Sequence, residues 1–158
     1  MSASKDQEWN TLHMELKETM QKEVHVMREL LANMHQEEIS LMLNDQGSLQ
    51  ELLQQRSIIV ERLSNLRTSR MDTTGKIEKI VAKENPPTPE RVLPTEEETS
   101  TEIFSLSDQL MALTEQMNRQ KIQNQYLTDH PEHWHPAPAS SAARAKKKAS
   151  VATYQIKK

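Results

Sequence analysis

The residues best suited to chemistry in this chain cluster late in the sequence: His130, Glu132, His133 and His135. A His-x-His pair can bind Zn²⁺ or Ni²⁺, and three imidazoles make a workable coordination set. Pro131 and Pro136 interrupt the segment, so nothing fixes ligand geometry, and a solvated loop at a helix exit is the simpler expectation. His13, His25 and His35 have no ligand spacing and are expected as solvated or boundary residues. Nucleophilic and phosphate chemistry lack their usual parts. There is no cysteine, and the two glycines, Gly47 and Gly75, stand alone, which excludes a glycine-rich phosphate loop. Serines and carboxylates are plentiful but fall on the polar faces of helical repeats. The expectation is a protein with no catalytic residues, no metal and no cofactor, that is, not an enzyme.

With catalysis set aside, the question becomes which elements the residues build. Over 158 residues the hydrophobic share is 35%, aromatics are 3% and mean hydropathy is −0.80, too little Val, Ile, Phe, Tyr and Gly for a sheet or barrel. Glu, Gln, Leu, Met, Lys and Arg dominate, and these are good helix formers. The net charge of −3 is uneven. Six basic residues and no acidic one follow Pro136, so the rest of the chain carries −9. An acidic body argues against nucleic acid as a partner. The Lys146–Lys148 run fits a solubilising tail. No apolar run approaches the roughly 20 residues of a membrane helix, and the first residues lack the pattern of a secretory signal. A cytoplasmic protein with no integral membrane segment is expected.

Periodicity predicts a first helix from about Asp6 to Leu43. Its stripe is Trp9, Leu12, Leu16, Met20, Val24, Met27, Leu31, Met34, Glu38 and Leu41, in steps of three or four. Residues 44–48 (Asn-Asp-Gln-Gly-Ser) predict a break, with Gly47 permitting the reversal. A second helix starting near Ser48 carries Leu49, Leu52, Arg56, Ile59, Leu63, Leu66 and Arg70 in heptad register. Gly75 weakens the pattern, and Ile77, Ile80 and Val81 could extend it. Prolines make residues 85–94 a linker. Thr95 to Glu98 has the form of a capping box for a third helix. The division is therefore 1–84 as a long helical hairpin, 85–94 as a Pro-rich linker, 95–128 as the third helix, and 129–158 as a flexible, His-containing and basic tail. The fold class expected is all-α: an antiparallel long hairpin plus a third helix in a coiled-coil-like three-helix bundle, with a disordered tail.

The third helix carries Ile103, Leu106, Leu110, Leu113 and Met117, then turns polar at Gln120 and Asn124. A helix tethered by a Pro-rich linker can pack on its own bundle or on a partner, which makes these five residues candidate client anchors. Met20, Met27 and Met34, seven apart, suit either an irregular core or an adaptable binding stripe. Thin stripes also permit a homodimer.

The layout resembles the FlgN family of flagellar export chaperones of the type III secretion system. The likeness rests on residues 44–67, NDQGSLQELLQQRSIIVERLSNLR, where a short break precedes a leucine heptad helix with basic residues, and on Leu106 to Asn124 at the place of the family's last helix. It covers roughly residues 5–127. The resemblance implies binding of the C-terminal segments of exported hook–filament junction proteins or analogous clients, a client groove involving the third helix, and delivery to the export apparatus. It also implies a tyrosine that docks on the export gate, for which Tyr126 and Tyr154 are the candidates. Family tails carry that tyrosine near a glycine, whereas this tail has none. The alternative is a coiled-coil stalk or scaffold protein of a secretion ATPase.

Overall fold

The computed structural model describes residues 2–83 and 97–133. They form three long helices, α1 (Ser2–Met42), α2 (Gln46–Ala82) and α3 (Glu97–Asp129), with a 3₁₀ turn at Pro131–His133. No strand occurs among the described residues. The fold is all-α, and α1 packs against α2. The linker expected at 85–94, the Thr95 cap and the tail from residue 134 lie outside the described residues.

The turn between α1 and α2 is built by three residues. Asn44 adopts a left-handed conformation (φ 51°). The amide of Asp45 bonds the Ser40 carbonyl at 2.9 Å, and the amide of Asn44 bonds that of Leu41 at 3.1 Å. This pair of bonds is a Schellman ending, which satisfies carbonyls that the helix end leaves open. Asp45 then caps α2, accepting from the Ser48 amide at 3.1 Å and from the Ser48 hydroxyl at 2.9 Å. The break expected at 44–48 is present, but the residue that reverses the chain is Asn44. Gly47 has no positive φ and already belongs to the first turn of α2, which begins at Gln46 rather than near Ser48. Asn tolerates the left-handed region because its short amide side chain compensates locally.

Gly75 does not end α2, which continues through it to Ala82. An added Cβ there would meet nothing within 4 Å. Gly75→Ala is therefore expected to stabilise the protein by about 0.5–1 kcal/mol, by restricting the unfolded chain. A rise in the urea midpoint with an unchanged slope would show it; a fall would mean that the helix is strained at this point.

The described residues divide into two compact units, each assembled from one segment of every helix: residues 2–27 with 61–83 and 97–112, and residues 28–60 with 113–133. In the first, Trp9, Leu12, Met20, Val24 and Met27 of α1 are buried, as are Leu63 of α2 and Leu106 and Leu110 of α3. In the second, the buried set is Leu30, Met34 and Leu41 of α1, Leu52 of α2, and Leu113 and Leu127 of α3. Every apolar member of the stripe expected on α1 is buried or half-buried. Burying such a side chain stabilises by about 1.5–3 kcal/mol, which is what holds helices that would be marginal alone. The buried arc on α1 is wider than the stripe. Glu23, Val26, Asn33 and Ser40 are also buried, because α1 has a neighbour on each flank within each unit.

Candidate functional site

The polar side chains of this protein are not all on solvated faces. In the first unit Glu23 is only 1% exposed, and Arg70 of α2 donates from Nε to its Oε1 at 2.6 Å. A buried carboxylate is tolerated when a charged donor satisfies it. Lys17 reaches Glu102 of α3 at 2.8 Å, and this hydrogen bond raises the Lys17 ammonium above its ordinary range. His13, expected as a solvated or boundary residue, is fully buried instead. Its Nδ1 lies 2.8 Å from the Trp9 carbonyl, and its ring centroid is 4.4 Å from that of Trp9.

Burial lowers the His13 imidazole below its usual value of 6.5, only partly opposed by the bond to Trp9. A group held neutral in the folded state contributes stability that is intact above the unfolded value and lost as pH falls towards the folded one. Stability is thus expected to decline below about pH 6.5, the ordinary histidine value. Thermal melts at neutral and mildly acidic pH would measure the decline, and His13→Gln should flatten it. An equal decline in the variant would assign the effect to other groups.

In the second unit two hydrogen-bonded sets tie α1 to its neighbours, one to α2 and one to α3. Asn33 of α1 donates to the Leu52 carbonyl at 3.0 Å and accepts from Arg56 Nε at 2.9 Å. Arg56 also pairs with Glu37, and burial pushes its guanidinium below the ordinary value. From α3, the Gln120 amide donates to Glu38 at 2.7 Å and to Asn124 at 2.8 Å, and Asn124 donates to the Met34 carbonyl at 2.9 Å. Among the described residues no buried side-chain nitrogen or oxygen lacks a partner. Networks satisfied to this degree fix the register of one helix on another, since a slipped helix would strand each group.

The client anchors expected on α3 fall on its inner face. Leu106, Leu110 and Leu113 are buried, and Ile103 and Met117 are half-buried. The polar positions after them, Gln120 and Asn124, are buried too, so the fading of the apolar stripe marks the network rather than an exit from the core. α3 also has a second apolar face. In the first unit Phe104 and Met111 are 56% and 64% exposed, and in the second Ile122 and Tyr126 are 71% and 44% exposed. At 3.6 residues per turn both pairs point away from the buried leucines.

Tyr126 stacks on His130, with centroids 4.2 Å apart and an interplanar angle of 22°, and the His130 Nδ1 lies 2.9 Å from its carbonyl. Tyr154 and His135 lie outside the described residues. Among the described residues no group of three His, Cys, Asp or Glu is arranged to hold a metal ion. No helix among them is long and apolar enough to cross a membrane.

These features define the class: an all-α bundle with polar cross-links inside and exposed large apolar side chains on the α3 segment of each unit. Comparison with known proteins adds no closer identity, because no family model, no curated protein and no solved structure matches the chain.

Proposed function

We propose that the chain is a chaperone of a flagellar or other type III secretion system, binding amphipathic helical segments of exported clients and presenting them to the export apparatus from the cytoplasm. The observation that carries this reading is the doubled apolar character of α3. Single exposed apolar residues are ordinary on protein surfaces. Phe104 and Met111, one heptad apart on the α3 segment of the first unit, stay exposed after that unit's core is filled, and Ile122 and Tyr126, one turn apart, do the same within the second. Aligned anchors at helical spacing are what an amphipathic partner helix requires. No covalent step and no cofactor enters the mechanism. A client segment that would self-assemble early is masked by helix-to-helix contact and released at the export apparatus, with Tyr126 and Tyr154 the candidate contacts there.

Two modes of engagement are open to α3. The outer pairs can take a client with the bundle intact. The inner set, Ile103, Leu106, Leu110, Leu113 and Met117, can do so only when α3 leaves its core. The test is recovery of an exported protein with helical ends from the cytosol of a secreting cell, using tagged full-length protein, and loss of that protein with Phe104→Ser plus Met111→Ser. Retention by this variant would remove the outer pair from the client site.

The stalk reading draws on the α1–α2 hairpin and its tightly capped turn. Recovery of a secretion ATPase, unaffected by changes on α3, would favour it.

A further inference from the structure

The chain has nine methionines and no cysteine, so every sulfur in it is a thioether. Burial sorts these thioethers into two groups. Met20, Met27 and Met34 of α1 are buried. Among the described residues Met71 is 71% exposed and Met111 64%, against 39% for Met14 and 37% for Met42. Oxygen transfer needs an oxidant at the sulfur, so it follows exposure, and a buried thioether reacts only when its surroundings open. The two readiest sites both belong to the first unit, but their neighbours differ. One turn from Met71 on α2 stand Arg67, Thr68, Thr74 and Gly75, none of them a large apolar residue. Met111 shares its exposure with Phe104, one heptad away on α3.

We infer that Met111 is a reversible oxidation site, at which sulfoxide formation switches off the exposed Phe104–Met111 pair and leaves the bundle folded. The oxidant class is a peroxide. Its O–O bond breaks, one oxygen atom bonds to Sδ of Met111, the sulfur gives up two electrons, and hydrogen peroxide leaves as water. Sulfoxide reductases restore the thioether with two electrons from a pair of thiols, which join as a disulfide while the oxygen departs as water. A sulfoxide is polar, so covering it with an apolar partner carries the penalty of burying an unpaired polar group. Left in water it carries no such penalty, and the core keeps its thioethers at Met20, Met27 and Met34. That the pair receives a client is the reading proposed above, and the switch rests on it. The order of oxidation and the loss of surface apolarity do not.

The experiment treats full-length protein with graded hydrogen peroxide. It reads sulfoxide at each methionine by peptide mass spectrometry, retention on an apolar resin, and the urea midpoint. Met71 and Met111 should oxidise more than about tenfold faster than Met20, Met27 and Met34, which react only through opening of the core. Retention should fall as Met111 is converted, with the midpoint unchanged, and methionine sulfoxide reductases acting on both epimers should restore it. Met71→Leu should keep this fall in retention, and Met111→Leu should lose most of it. Met111 reacting at the rate of the buried row, a midpoint that falls with its conversion, unchanged retention, or an equal fall in Met111→Leu would each overturn the inference. Client recovery from the cytosol of a secreting cell separates the two readings. If untreated protein recovers no client, the client site is removed and the oxidation site stands on the other readouts. If protein converted at Met111 recovers as much client as untreated protein, the switch is overturned and the client site stands.

Discussion

Arg70→Ala is expected to destabilise the protein by about 2–4 kcal/mol, because it strands a carboxylate that has nowhere else to go. Glu23 is 1% exposed, and its Oε1 is held by Arg70 Nε at 2.6 Å. Breaking a fully buried pair from one side costs about 3–5 kcal/mol, while the same pair at the surface is worth about 1 kcal/mol or less. The Arg70 side chain is 37% exposed, so water already shares its charge, which places the expectation below the fully buried range. The loss comes from desolvated charge rather than from missing attraction. Removing both charges, with Glu23→Leu and Arg70→Leu together, should therefore recover most of it. Urea unfolding of Arg70→Ala measures the loss, and a cycle of Glu23→Leu, Arg70→Leu and the two together measures the recovery. A loss below about 1 kcal/mol in Arg70→Ala would show that Glu23 reaches water when its partner is gone.

This pair also shows how far the sequence reaches. The heptad on α2 placed Arg56 and Arg70 at core-facing positions among leucines, and the structure puts both there, on Glu37 and Glu23. The partners were not legible. Glu23 and Glu37 look like any other carboxylate on a charged helix until the register of α1 on α2 is known. His13 fails in the same way. Its spacing fits no ligand set, but one turn after Trp9 it falls within the arc that α1 buries. The turn was placed correctly and its agent was not, since Gly47 is the freer residue but Asn44 occupies the left-handed position. Gln120 and Asn124 read as the end of a stripe because apolar periodicity counts only apolar residues. Cross-helix hydrogen bonds to Glu38 and to the Met34 carbonyl are what make them core. On α3 the spacing singled out the inner stripe alone, and the exposed Phe104, Met111, Ile122 and Tyr126 emerge only once tertiary contacts decide which side of the helix turns inward.

That choice sets the second large effect. Leu110→Asp together with Leu113→Asp is expected to lose more than about 4 kcal/mol, from the lost burial of two leucines plus two desolvated carboxylates. Leu110 belongs to the core of the first unit and Leu113 to that of the second, so neither unit is spared. Against a typical domain stability of about 5–15 kcal/mol, a loss of this size leaves much of the chain unfolded near physiological temperature. Far-ultraviolet circular dichroism should then show helicity falling well beyond the share of α3, since the stripe on α1 loses a partner along its length. Phe104→Ser with Met111→Ser should stay within about 0.5 kcal/mol of the parent, as exposed substitutions do. If the inner-face variant instead keeps the helicity of α1 and α2 and loses only α3, the first two helices are stable without the third. Release of α3 to a client would then be energetically accessible, and Ile103, Leu106, Leu110, Leu113 and Met117 would regain their place as client anchors. If helicity collapses while the outer-face variant remains folded and loses its client, recognition belongs to Phe104 and Met111, and the inner stripe is core alone.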